Sequence, residues 1–151
     1  VLSVFGGKIT TYRRLAEHAL EKLKPYFPHL KKAWTGDAVL PGGAMKDADF
    51  DQFLAKLKAE KPFLPDETAR RLARAYGTRA RDIVGTAQSM ADLGEAFDGG
   101  LTAAEVDYLR TEEWAVTADD ILWRRSKLGL RTSPESAARL AAYLDRRAEA
   151  A

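Results

Sequence analysis

Cysteine is absent from the 151 residues, which excludes a disulfide framework and any thiolate metal site and fits a reducing, cytosolic setting. Histidine occurs only at His18 and His29, each without a second ligand at metal spacing, so no metal site is read. No apolar run approaches the roughly 18 residues needed to span a bilayer, and no signal peptide is found, so any membrane contact is expected to be peripheral. An excess of one charge is also missing. The formal net charge of +2 is too small to imply nucleic-acid binding, although a sequence pI of ≈ 8.9 suits weak attraction to an anionic surface. What remains, 46% hydrophobic and 30% charged residues, is the composition of a folded globular chain long enough for one real core. No fixed period emerges, so a repeat protein is not read.

The stretch with most local information is the first. Val1 to Phe5 reads as a short strand, Gly6-Gly7 as a tight turn, and Lys8 to Leu15 as the start of an amphipathic helix. Paired glycines permit positive φ and close approach of backbone to a ligand, while unpaired helix N–H groups and the macrodipole favour negative charge. Lys8 adds a cation at the same place. A Walker A loop is excluded because Leu2 and Ile9 stand where its first glycine and its hydroxyl should be, and a dinucleotide fingerprint is excluded because only two glycines are present. With no second convincing strand in the chain, Val1 to Phe5 should pair with a sheet supplied by other residues, and the chain is expected to be a fragment of a longer protein.

Farther along, every segment with a clear period is helical. Tyr12, Leu15, Ala16, Ala19, Leu20 and Leu23 form one apolar face, ending before Pro25. Pro25 to Gly43 reads as an extended connector that breaks at Pro41-Gly42-Gly43, so the domain boundary is expected between residues 1–43 and 44–151. Asp47 or Asp49 can cap a helix carrying Phe50, Phe53, Leu54 and Leu57, closed by Pro62. Pro65-Asp66-Glu67 opens another, with Ala69, Leu72, Ala73 and Tyr76 inward and Gly77 just past its end. A short helix is expected over Arg79 to Ala87. Thr102 and Glu105 have capping-box spacing before Val106 and Leu109, and Thr117 and Asp120 approximate it before a helix over Ile121 to Arg125, broken at Gly129. Ser133-Pro134 gives an N-cap and N1 pair for a final helix with Ala137, Leu140, Ala141 and Leu144 inward.

Charged and aromatic clusters are first given structural roles. Glu112-Glu113 and Asp119-Asp120 are adjacent pairs, which point to different helix faces, so caps and ion pairs suit them better than acid/base catalysis, and no catalytic residue is assigned. Trp34, Trp114 and Trp123 are read as packing anchors.

The string Ser3-Val4-Phe5-Gly6-Gly7-Lys8-Ile9-Thr10-Thr11-Tyr12-Arg13-Arg14-Leu15 resembles the last flavin-contacting turn of the FAD-dependent glycerol-3-phosphate dehydrogenases, members of the D-amino-acid-oxidase-type superfamily. Trp34 with Leu40-Pro41-Gly42-Gly43 resembles that family's exit from the FAD domain. Leu101 to Val106 with Glu112 to Leu130 resembles the signature of its C-terminal helical domain, with Ser126 where the family usually has Thr. Three motifs in the family's order are far more specific than one.

The resemblance implies that Gly6, Gly7, Lys8, Ile9, Thr10 and Thr11 contact FAD near its N1/O2 edge in the full-length protein. It also implies oxidation of glycerol 3-phosphate to dihydroxyacetone phosphate with electrons passing to a quinone. The implied partners are the remaining FAD and substrate domains of the same protein, the inner face of the cytoplasmic membrane, and a second copy in a homodimer. The expected fold is therefore an all-α C-terminal multi-helix domain preceded by a strand-turn-helix remnant of an FAD-binding domain, not catalytic by itself. The alternative is a non-enzymatic helical adaptor using a basic face of Arg70, Arg71, Arg74, Arg79 and Arg81. Interspersed acids and a lack of interleaved aromatics other than Tyr76 weaken its nucleic-acid version.

Overall fold

The computed structural model describes residues 1–149, and every regular element among them is helical. Six α-helices form: α1 (Tyr12–Leu23), α2 (Phe50–Glu60), α3 (Asp66–Tyr76), α4 (Ala80–Val84), α5 (Ala103–Glu113) and α6 (Pro134–Glu149). The strand expected over Val1–Phe5 does not form. These residues are exposed and find no backbone partner among the described residues, because a ladder needs a second strand and none is present there.

The chain divides into two units, Val1–Leu40 and Pro41–Ala151. In the first, α1 ends where Pro25 forbids its continuation, and a tight 3-10 turn over Lys24–Tyr26 follows. Its expected apolar face forms but stays unsealed: Leu15, Ala19 and Leu23 are half-buried, Tyr12 and Leu20 are exposed, and no residue of the helix is buried. Polar contacts do more here. Arg13 pairs with Glu17 at 3.1 Å, and both reach Thr35, whose hydroxyl donates to the Glu17 carboxylate.

The second unit holds the core. The Asp49 carboxylate accepts from the Gln52 amide at 2.9 Å and so caps α2, whose Phe53, Leu54 and Leu57 turn inward. On α3, Ala69, Leu72, Ala73 and Tyr76 are all buried, as the stripe predicts. Gly77 follows with φ 56°. A Cβ there would sit 2.0 Å from the Gly42 carbonyl oxygen, which accepts from the Thr78 amide at 2.9 Å, so the Pro41-Gly42-Gly43 break is pinned to the end of α3. The fourth helix stops at Val84 rather than Ala87 because Gly85 turns left-handed at φ 51°.

Two expected caps turn out differently. Thr102 is the N-cap residue of α5, but its side chain makes no cap hydrogen bond, and Glu105 is 1% exposed and faces the core. The reciprocal arrangement does form at Thr117 and Asp120. There the Asp120 carboxylate accepts from the Val116 and Thr117 amides at 3.1 and 2.9 Å, and the Asp120 amide donates to the Thr117 hydroxyl at 3.2 Å.

The helix expected over Ile121 to Arg125 is a wide π-turn, Asp120–Arg125, closed by the Ser126 amide donating to the Ile121 carbonyl at 3.0 Å. It ends at Arg125, and the break comes at Lys127, left-handed at φ 60°, two residues before the expected Gly129. Gly129 serves another purpose: a Cβ on it would lie 2.4 Å from the Trp123 ring, so the ring lies directly over it. Ser133 caps α6 through the Ser136 amide at 3.2 Å, and Leu140 and Leu144 enter the core, while Ala141 is exposed.

The tryptophans correct another expectation. Trp34, Trp114 and Trp123 are 69%, 82% and 44% exposed, so none of them anchors the core; Leu57, Leu101, Leu109, Ile121 and Leu140 do.

Candidate cofactor-binding turn

Lys8 and its neighbours precede α1 on a 3-10 turn, Ile9–Thr11. Gly6 and Gly7 have φ 76° and 140°, both in the region that disfavours side chains. A Cβ on Gly7 would also press on Leu15 at 2.9 Å, whereas Gly6 opens onto free space. The first amide that finds a backbone partner is that of Thr11, donating to the Lys8 carbonyl at 2.9 Å, so the Gly7, Lys8, Ile9 and Thr10 N–H groups have no partner among the described residues. Lys8 makes no ion pair among the described residues, and no acid lies in the first turn. The result is an exposed row of donors with an adjoining cation and no competing carboxylate. Such a donor set fits an electron-rich planar edge or a phosphate, and so fits the pyrimidine edge of a flavin. The Thr11 hydroxyl is turned back to the Lys8 carbonyl at 3.0 Å, where it orders the turn.

The remaining singled-out residues are scattered and structural. Glu112 and Glu113 lie 3.8 Å from Arg79 and Arg125 respectively, and Asp120 pairs with Arg124 at 2.9 Å. Hydrogen bonds from the Thr117 and Val116 amides hold the Asp120 carboxyl at about 2, well below the ordinary carboxylate range. The basic face of the adaptor reading is largely dismantled. Arg71 turns inward, Arg81 grips Glu60 with contacts of 2.8 and 3.1 Å, Arg79 donates to the Tyr108 hydroxyl, and Arg74 stacks over Phe50. Of the five guanidinium groups, only that of Arg70 has no such partner among the described residues.

The polar cluster that sequence reasoning missed lies beneath that face. Arg71 donates to both oxygens of the buried Glu105 at 2.7 and 2.6 Å and to the Gly100 carbonyl at 2.7 Å, and the Tyr76 hydroxyl donates to Glu105 at 2.7 Å. Burial, reinforced by the Glu105 charge, pushes the Tyr76 phenol far up, so it stays protonated and donates. No local spacing marks this set, because its members come from three separate segments.

Residues 33–149 match the family described as the C-terminal domain of alpha-glycerophosphate oxidase. The chain belongs to this family. Among curated relatives of this alpha-glycerophosphate oxidase C-terminal family member, the aerobic glycerol-3-phosphate dehydrogenase of Escherichia coli (strain K12) is 47% identical over 95% of this chain and 28% of its own length. The glycerol-3-phosphate dehydrogenase of Pseudomonas aeruginosa is 51% identical over the same shares. The D-erythritol 1-phosphate dehydrogenase of Brucella abortus is 46% identical over 84% of this chain and 25% of its own length. The chain thus spans little more than a quarter of the length of these relatives. Coverage of 95% leaves too few residues outside the match to miss Lys8 to Thr11, so the E. coli likeness extends beyond the C-terminal domain into the turn. Among the described residues, no helix is long and apolar enough to cross a membrane.

Proposed function

We propose that this chain is the C-terminal portion of an FAD-dependent sn-glycerol-3-phosphate dehydrogenase, in which Gly6, Gly7, Lys8, Ile9, Thr10 and Thr11 hold the pyrimidine edge of FAD. The observation that carries the reading is the match of 95% of the chain to two glycerol-3-phosphate dehydrogenases, at 47% and 51% identity. FAD, when bound, supplies the hydride-accepting chemistry by which a secondary alcohol becomes a ketone. The chain's own part is electrostatic. Unpaired amides of Gly7 to Thr10 and the Lys8 ammonium would hold the electron-rich pyrimidine edge of the cofactor, and the two left-handed glycines keep side chains out of the approach. Thr11 orders these donors by holding the Lys8 carbonyl.

Substrate-gripping and catalytic groups belong to the remaining FAD and substrate domains. In the same reading the whole enzyme rests peripherally on the inner face of the cytoplasmic membrane and passes electrons to a quinone. A second reading of the substrate comes from the D-erythritol 1-phosphate dehydrogenase, 46% identical to this chain, which shares the phosphorylated-polyol class. The adaptor reading is disfavoured by the internal engagement of Arg71, Arg74, Arg79 and Arg81.

The test uses the full-length enzyme, with its flavin absorption recorded anaerobically before and after glycerol 3-phosphate or erythritol 1-phosphate. Bleaching by the first substrate is expected; bleaching by the second alone moves the assignment to that polyol, and no bleaching by either refutes the reading. Lys8→Ala is expected to slow flavin reduction by roughly 10²-fold with an unchanged thermal midpoint, and equal reduction rates would remove Lys8 from the site.

A further inference from the structure

Between Glu113 and Leu130 the backbone concentrates geometry that ordinary helices avoid. Trp114 is left-handed at φ 57°, a conformation rare for a bulky residue, Asp120–Arg125 is a π-turn, and Lys127 is left-handed at φ 60°. Such backbone persists only where its surroundings impose it. The same stretch turns four large apolar side chains outward: Trp114, Val116, Trp123 and Leu130 are 82%, 75%, 44% and 78% exposed.

These side chains are presented from a fixed base. Ala115, 4% exposed, lies between Trp114 and Val116 and its amide donates to the Leu109 carbonyl at 3.0 Å. Arg125 donates to the Glu113 carbonyl at 2.9 Å and so ties the end of the π-turn to the end of α5. Ile121 and Leu122 are buried beneath, and the Trp123 ring lies over Gly129. A stretch fixed to the core through Ala115, Ile121 and Leu122, with large apolar groups left in solvent, has the composition of an interface core.

We infer that Trp114, Val116, Trp123 and Leu130 form the surface on which the remaining part of the same polypeptide closes, an inference that rests on reading the chain as the C-terminal portion of a longer enzyme. Charge points to a protein occupant rather than a lipid one. Glu112, Glu113, Asp119 and Asp120 offset Arg124, Arg125, Lys127 and Arg131, and the closest ions are paired with each other, Arg124 with Asp120 at 2.9 Å. An anionic membrane recruits a net-positive rim, and this rim is neutral. Tethering favours the same polypeptide over a second copy. The matched share of the E. coli relative is 28%, so nearly three quarters of such a chain lies outside this structure. A covalently linked face acts at an effective concentration on the order of millimolar, above that of a free second molecule.

The test uses the full-length, FAD-loaded enzyme carrying Trp114→benzoylphenylalanine, irradiated and then separated under denaturing conditions. An intrachain cross-link to peptides outside residues 1–151 is expected. A cross-link at twice the chain mass assigns the face to a homodimer, a lipid adduct assigns it to the membrane, and no cross-link leaves the face free; each of these overturns the proposal. As a second readout, hydroxyl-radical oxidation of Trp114 is expected to be at least roughly tenfold slower in the native holoenzyme than in guanidinium, and equal rates overturn it.

Trp114→Asn removes the ring while keeping a residue that tolerates the left-handed conformation. In the whole enzyme it is expected to raise amide exchange from Ala115 to Leu130 by roughly tenfold and to leave the core amides of Leu109 and Leu140 unchanged, which separates undocking from unfolding. Unchanged exchange in both regions overturns the proposal. Bleaching by glycerol 3-phosphate in the same preparation reports separately on the enzyme assignment, so the two readings can fail independently.

Discussion

Removing the Glu105 carboxylate would strand a guanidinium and a phenol that both point at it from inside the domain. Glu105→Ala is therefore expected to destabilise the chain by about 3 kcal/mol, read as a fall in the urea midpoint without a change of slope. A loss under about 1 kcal/mol would mean that water replaces the carboxylate for both partners. Asp120 gives a pH signature of defined sign. Its carboxyl is held at about 2 in the folded chain, against roughly 3.9 in an unfolded one. A depressed carboxylate stabilises above its unfolded value and loses that contribution as pH falls through its folded value, so the effect should vanish between about pH 4 and pH 2. Asp120→Asn is expected to flatten the acid side of the stability curve in that window, and a curve identical to wild type would deny the cap its electrostatic role.

At the scale of elements, the Gly42–Gly77 contact is the joint most exposed to mutation. Gly77→Ala forces a Cβ to within 2.0 Å of the Gly42 oxygen at φ 56°, for an expected loss on the order of 3 kcal/mol by thermal melting. Retention of the wild-type midpoint would mean that the connector can detach from α3 freely. Gly77 was legible as a helix end, while its second duty, admitting another backbone, was not, because the approaching carbonyl comes from 35 residues upstream.

The same divide runs through the whole fold. Helices α2, α3 and α6 follow their apolar stripes and cap residues, which are local facts. Glu105 had the spacing of a capping box, yet Arg71 and Tyr76 drew it inward from α3. Trp114 had the composition of a core residue, yet a left-handed backbone turned it out. At the candidate site the glycines, Lys8 and the free amides were all readable, since the turn is built within six residues, Gly6 to Thr11. The return of the Thr11 hydroxyl to the Lys8 carbonyl was not, because its rotamer is set only once the helix has begun.

For the molecule as a whole, burial is one-sided. Every buried residue lies at Phe53 or beyond, and α1 contributes none. Deleting the first 40 residues is thus expected to leave the urea midpoint and its slope within error of those of the intact chain. A clear drop in slope would show that Val1–Leu40 buries surface cooperatively with the rest. The unpaired run from Val1 to Phe5 carries a further consequence, for handling the protein rather than for its chemistry. Its backbone groups have no partner among the described residues, and Val4 and Phe5 stand in water at 53% and 95% exposure. Two such runs from different molecules can complete each other, so a concentrated solution of the isolated chain should self-associate through its first five residues, and trimming or charging them should raise its solubility.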